Sequence, residues 1–115
     1  MTFSQLNISK DFVNNLQSLG YINLTPIQEL SLNNSLKGKD LIARAKTGSG
    51  KTVAFSLPIV EKLRAKEFKV QALLLAPTRE LANQIAQNLR LLFRHIHNVK
   101  ILTLCGGVPF KPQVV

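Results

Sequence analysis

The sequence predicts an α/β fold, a parallel β-sheet with flanking helices that is incomplete at three strands. Three observations carry this. Short apolar runs at residues 40–45, 72–76 and 100–104 alternate with helical patterns; the runs are nearly continuous, as in strands covered on both faces; and a glycine-rich turn joins the first run to the helix behind it. The order βαβαβ implies right-handed crossovers, with ligand loops at the carboxyl ends of the strands.

The first helix follows Ser9, a suitable N-cap, and places Phe12, Leu16 and Leu19 at i, i+4 and i+7 before Gly20 ends it. The second opens at Thr25-Pro26-Ile27-Gln28, with an N-cap threonine, proline at the first helical position and glutamine at the third, and Gly38 can close it. In the third, Val53, Leu57 and Val60 form an apolar face beside Phe55, Ile59 and Leu63, and Pro58 is expected to bend it. Leu81, Ile85, Leu89 and Leu92 mark the fourth, and residues 109–115 read as an irregular tail.

With 45% hydrophobic and 18% charged residues, the 115-residue chain suits one globular domain and not a disordered tail. Fifteen lysines and arginines against six acids give +9, which favours a polyanionic partner such as nucleic acid. Solubility, or an acidic half elsewhere, would explain the charge equally well. Cys105 is the single cysteine, so no internal disulfide can form, and a reducing cytoplasm fits. The start at Met1-Thr2-Phe3 has no basic signal-peptide region, and no apolar run is long enough to span a bilayer, so no membrane role is expected. His95 and His97 have no clustered ligand types beside them and read as surface residues.

The strongest chemical signal is Ala45-Lys46-Thr47-Gly48-Ser49-Gly50-Lys51-Thr52, lying between a predicted strand and a predicted helix. Gly48 and Gly50 permit the tight backbone that brings N–H groups to phosphate oxygens, and the helix behind them offers its positive end. Lys51 would neutralise the β and γ phosphates, and the Thr52 hydroxyl would ligate the bridging Mg²⁺. Ala45 stands where the general pattern has glycine. Such loops identify a nucleotide but no particular job, and an unrelated P-loop kinase would also carry one.

The flanks narrow the choice. Gly20 to Gln28, with Phe3 upstream, resembles the Q motif of DEAD-box RNA helicases, and Ala45 to Thr52 matches their motif I. Pro77-Thr78-Arg79-Glu80-Leu81 resembles motif Ia, and Gly106-Gly107 resembles the glycine pair after the next strand. The resemblance implies a RecA-like P-loop NTPase fold, with residues 1–38 as a Q-motif helical segment and 39–115 as the front of the ATP-binding domain. It implies ATP and Mg²⁺ as cofactors, Lys51 as the catalytic lysine, and RNA contacts from Pro77, Thr78, Arg79, Gly106 and Gly107. Gln28 would read the adenine edge and Phe3 would stack on the base. The stretch 101–107 is similar to the bacterial DbpA-type branch, associated with ribosomal RNA.

Each role has a structural alternative. Gln28 also completes a capping box with Thr25, and a Gln28→Glu substitution would keep the cap while removing an adenine donor. Phe3 and Tyr21 would equally serve packing. Thr78 can cap the fourth helix, whereas Arg79 in its first turn opposes the helix dipole, which favours a ligand role. Glycine pairs commonly only turn the chain.

The family's Asp-Glu-Ala-Asp motif is absent from these 115 residues, as is the second RecA-like domain that the resemblance implies. The expectation is therefore the ATP-binding front of an RNA helicase, truncated and unable to hydrolyse ATP alone. A short non-catalytic RNA- or nucleotide-binding protein, or a decayed gene product, is the alternative.

Overall fold

A computed structural model describes residues 1–104 apart from 47, 49, 65 and 68. Helices form where the local start signals place them. Helix α1 (Lys10–Ser18) begins at Ser9, whose Oγ accepts the Phe12 N–H at 3.3 Å, with Asp11 favourably placed in its first turn. Helix α2 (Pro26–Ser35) begins with proline and carries the predicted capping box, the Gln28 side chain accepting the Thr25 N–H at 2.8 Å. Helix α3 (Lys51–Lys62) leaves Gly50 and continues beyond Pro58. Helix α4 (Arg79–Leu92) is capped by Thr78, whose Oγ1 accepts the Leu81 N–H at 3.1 Å.

Ahead of α1, a 3-10 turn (Phe3–Gln5) is pinned to the segment that leads into α2. Phe3 N–H donates to the Ile22 carbonyl and Leu24 N–H to the Met1 carbonyl, both at 3.0 Å, flanking an isolated antiparallel bridge between Thr2 and Asn23. The amino terminus thereby closes over the helices. Helix α3 packs between α2 and α4, and α1 packs on α4. Phe12, Leu16 and Leu57 are fully buried at their junction, each contributing about 1.5–3 kcal/mol relative to exposure.

The predicted strands have a different standing. Residues 40–45 and 72–76 lie between helices and 100–104 follow α4, but no strand ladder occurs among the described residues. Leu73 and Leu75 are 80% and 89% exposed. A helix satisfies its backbone within itself, whereas a buried strand needs a neighbour on each side. These segments exchange no backbone hydrogen bonds among the described residues; Ile42 is exposed like Leu73 and Leu75, whereas Ile101 packs against the core.

His95 corrects the surface reading. Its ring stacks on Phe12, centroids 5.1 Å apart, in a cleft of about 730 Å³ that Asp11, Glu61, Lys66 and His97 also line. Desolvation lowers its pKa below the usual 6.5, against opposing pulls from Asp11, the Leu92 backbone and Glu61. Folded His95 therefore binds its proton less tightly than unfolded His95. Its contribution to stability is full above the unfolded pKa and is lost as pH falls through the lower, folded value. Thermal unfolding midpoints should fall as buffer is taken from about pH 7 to about pH 5, and a His95→Phe variant, keeping the stack on Phe12, should show a shallower fall over that interval.

Candidate nucleotide-binding site

The starts of α2 and α3 meet at one side chain. Gln28 is 1% exposed; its Oε1 accepts the Thr25 N–H at 2.8 Å and its Nε2 donates to the Gly50 carbonyl at 3.1 Å. The amide therefore joins the candidate base reader to the candidate phosphate loop. In this conformation both of its polar ends are engaged within the protein. Gln28→Glu would not isolate base reading from capping, because it would set a carboxylate oxygen against the Gly50 carbonyl.

Gly50 has φ +89° and Gly48 φ +80°, a left-handed region costly to residues with a Cβ. At Gly50 space is short as well: an added Cβ would collide with Gln28 Nε2 and lie 2.9 Å from Thr25 Oγ1. The glycine is required twice, by its dihedral and by the close approach of α2.

Helix α3 begins with no side-chain cap and no acidic residue in its first turn. Its first N–H groups and positive dipole end are thus free of a competing carboxylate, which suits an anion. Lys51, exposed at the first helical position, donates from Nζ to the Ala45 carbonyl at 2.6 Å, so the ammonium folds over its own loop. Thr52 is half-buried in the first turn. A cleft of about 430 Å³ opens beside the loop, lined by Thr25, Pro26, Ile27, Leu30, Arg44, Ala45 and Gly48. Ile27 belongs to the Q-like stretch Gly20 to Gln28, whereas Leu30 and Arg44 were not indicated by the motifs. The i, i+3 pair of apolar residues on the α2 face away from Gln28 and Leu32 was the available signal.

Phe3 is 1% exposed within the hydrophobic core. It offers no ring face to a base here, so its role in this conformation is packing, while Tyr21 is 40% exposed. Thr78 spends its hydroxyl on the α4 cap, and Arg79 stands exposed at the first position of α4, with no ion pair among the described residues. Pro77 is exposed just before it. Lys46 belongs to the loop and is exposed. Thr47, Ser49, Gly106 and Gly107 lie outside the described residues. No cluster of three metal-ligand side chains occurs among the described residues, and none of their helices is long and apolar enough to cross a membrane.

Residues 25–114 match the family model for the DEAD/DEAH box helicase. The chain is 52% identical over 112 residues to the ATP-dependent RNA helicase DbpA of Escherichia coli (strain K12), covering 96% of this chain and 24% of that protein. It is 42% identical over 114 residues to the DEAD-box ATP-dependent RNA helicase CshA of Streptococcus pneumoniae, covering 99% and 22%. Among solved structures, it superposes on a DEAD box protein from the hyperthermophile Methanococcus jannaschii with TM-score 0.91 and 35% identity, over 99% of this chain and 31% of that one. The RNA helicase Prp28 from Chaetomium thermophilum, bound to ADP, gives TM-score 0.85 and 32% identity, over 98% and 28%. The path of the chain is therefore that of a RecA-like α/β domain, although the described residues form no ladder. The chain spans about a quarter of the length of these curated relatives.

Two glycines separate backbone strain from steric contact. Gly20 has φ +90° with open space around it, whereas Gly50 meets Gln28. Gly20→Ala should cost about 1–2 kcal/mol from its dihedral alone. Gly50→Ala should cost more, because Gln28 must also leave its place, and urea unfolding of the two variants side by side measures the difference.

Proposed function

Because the chain belongs to the DEAD/DEAH box helicase family, we propose that it forms the nucleotide-binding front of an ATP-dependent RNA helicase, which couples ATP hydrolysis to remodelling of RNA duplexes. The family rules out the unrelated P-loop kinase. The observation that carries the reading is the start of α3, where uncapped N–H groups, Gly50 and Lys51 converge with no acidic residue in the first turn. A triphosphate would take the donors that this end leaves open, and Lys51 would exchange the Ala45 carbonyl for phosphate oxygens. The residues also fit Mg²⁺: Thr52 places a hydroxyl one position after Lys51, and the ion would supply charge neutralisation between phosphates.

The adenine would enter the cleft beside Thr25, Pro26 and Ile27. For Gln28 to read it, the amide would have to reorganise, since its present partners are Thr25 and Gly50. Base recognition and phosphate-loop geometry would then be linked through one side chain.

RNA would be held through phosphate contacts at Pro77, Thr78 and Arg79, with Gly106 and Gly107 alongside. An exposed arginine at the first position of a helix supports this, because it gains nothing from the dipole and has no ion-pair partner among the described residues. The similarity of residues 101–107 to the DbpA-type branch supports ribosomal RNA as the target, and a cytoplasmic location suits that substrate. In the whole protein a second RecA-like domain would complete the RNA clamp.

Two substitutions test the two halves of this reading. Lys51→Ala should abolish Mg-ATP binding in titration calorimetry while leaving the circular dichroism spectrum unchanged; retained affinity would refute the phosphate assignment. Arg79→Ala should weaken single-stranded RNA binding about equally across sequences and reduce the salt dependence by roughly one phosphate contact, read by fluorescence anisotropy at several salt concentrations.

A further inference from the structure

The carboxyl end of α4 is capped by another helix. Asn15, 93% buried by its 7% exposure, donates from Nδ2 to the Leu91 carbonyl at 3.1 Å and to the Leu92 carbonyl at 2.8 Å. Its Oδ1 accepts from Arg94 Nε at 2.7 Å. Arg94 Nη2 donates to Ser18 Oγ at 2.6 Å, and that hydroxyl donates to the Asn15 carbonyl at 2.7 Å. The last carbonyls of a helix have no partner within it, and a following glycine commonly turns the chain to satisfy some of them. Here Phe93 follows Leu92 with ordinary negative φ, the N–H groups of Phe93 and Arg94 reach back to the Leu89 and Leu91 carbonyls, and α1 adds donors to Leu91 and Leu92.

This arrangement fixes a quantity that apolar packing leaves loose. Ala86, Leu89 and Leu92 bury one side of α4, and such a contact resists separation more than sliding along the helix axis. Directional hydrogen bonds to the two final carbonyls set the axial position. The other end of the same helix, about 20 Å away at 1.5 Å per residue, carries Thr78 and Arg79. We propose that Asn15, held in orientation by Arg94, is a positioning residue for RNA binding: it sets the axial register of α4 and thereby the place at which Arg79 meets a phosphate. The proposal rests on the assignment of Arg79 to RNA given above.

The test is a double-mutant cycle in the native protein that contains this chain. Asn15→Leu, Arg79→Ala and their combination are compared for single-stranded RNA affinity by anisotropy and for nucleotide affinity with a fluorescent ATP analogue. Asn15→Leu should weaken RNA binding about three- to tenfold and leave nucleotide affinity unchanged, since no hydrogen bond of Asn15 reaches α2 or α3. Added to Arg79→Ala, it should weaken RNA binding by clearly less than it does alone, because the main contact it positions has already gone and only the Thr78 contact is left to shift. Full additivity, or equal losses for RNA and nucleotide, would overturn the proposal by marking Asn15 as a general stabiliser. If Arg79→Ala alone leaves RNA affinity unchanged, the RNA assignment itself fails. Should Asn15→Leu not fold, Arg94→Gln carries the same cycle, with a smaller loss expected because Arg94 is exposed; no loss, or an additive one, would count against the proposal in the same way.

Discussion

The carboxamide of Gln28 holds two helix starts together. By accepting from Thr25 and donating to Gly50, it satisfies an N–H at the entry of α2 and a carbonyl at the entry of α3. It does so while 1% exposed, where a lost partner costs about 1–3 kcal/mol. The candidate phosphate loop therefore does not rest on its own glycines alone. Its last turn is referred to α2, and the packing of α2 against α3 carries that reference into the core through Leu32, Val53 and Leu57. Gly50 permits the contact because a Cβ there would occupy the space of the Gln28 amide.

The same helix start also sets the surroundings of Lys51. Lys51 sits at the positive end of a helix, where a cation is unfavourable, yet its ammonium reaches the Ala45 carbonyl at 2.6 Å. One carbonyl is a modest partner for three donors. A phosphate would offer charged oxygens to the ammonium and acceptors to the N–H groups of α3 together, so binding would relieve the lysine and satisfy the helix end in one event.

What was legible in the sequence follows the range of the interactions. Ser9, Thr25-Pro26 and Thr78 act within four residues, and each opens a helix where its spacing indicated. The candidate phosphate loop is a local signal too, since eight consecutive residues carry the motif. The Gln28 contact with Gly50 spans 22 residues, and the Asn15 contacts with α4 span 76 and 77. Neither has a local signature. The trace of the second was one polar residue among Phe12, Leu16 and Leu19, which the helical pattern treated as an interruption of the apolar stripe. His95 was misread because a histidine after a helix looks the same in sequence whether it faces water or stacks on an aromatic ring 83 positions earlier. Phe3 was left open between base and core, and its 1% exposure shows what the 3-10 turn does with it here.

The helices and the predicted strands differ in what they require. Each helix closes its own hydrogen bonds and needs company only on one face, which α1, α2, α3 and α4 supply to one another. A central parallel strand needs partners along both edges and covers over both faces. Residues 72–76 are as apolar as such a strand demands, yet Leu73 and Leu75 remain open to solvent. Among the described residues, Arg90 Nη2 ties α4 to the last segment by donating to the Ile101 carbonyl at 3.2 Å. The helical layer is tied together by its own side-chain contacts, Gln28 to Gly50 at the start of α3 and Asn15 to Leu91 and Leu92 at the end of α4. Sheet pairing would add backbone hydrogen bonds along segments that exchange none among the described residues.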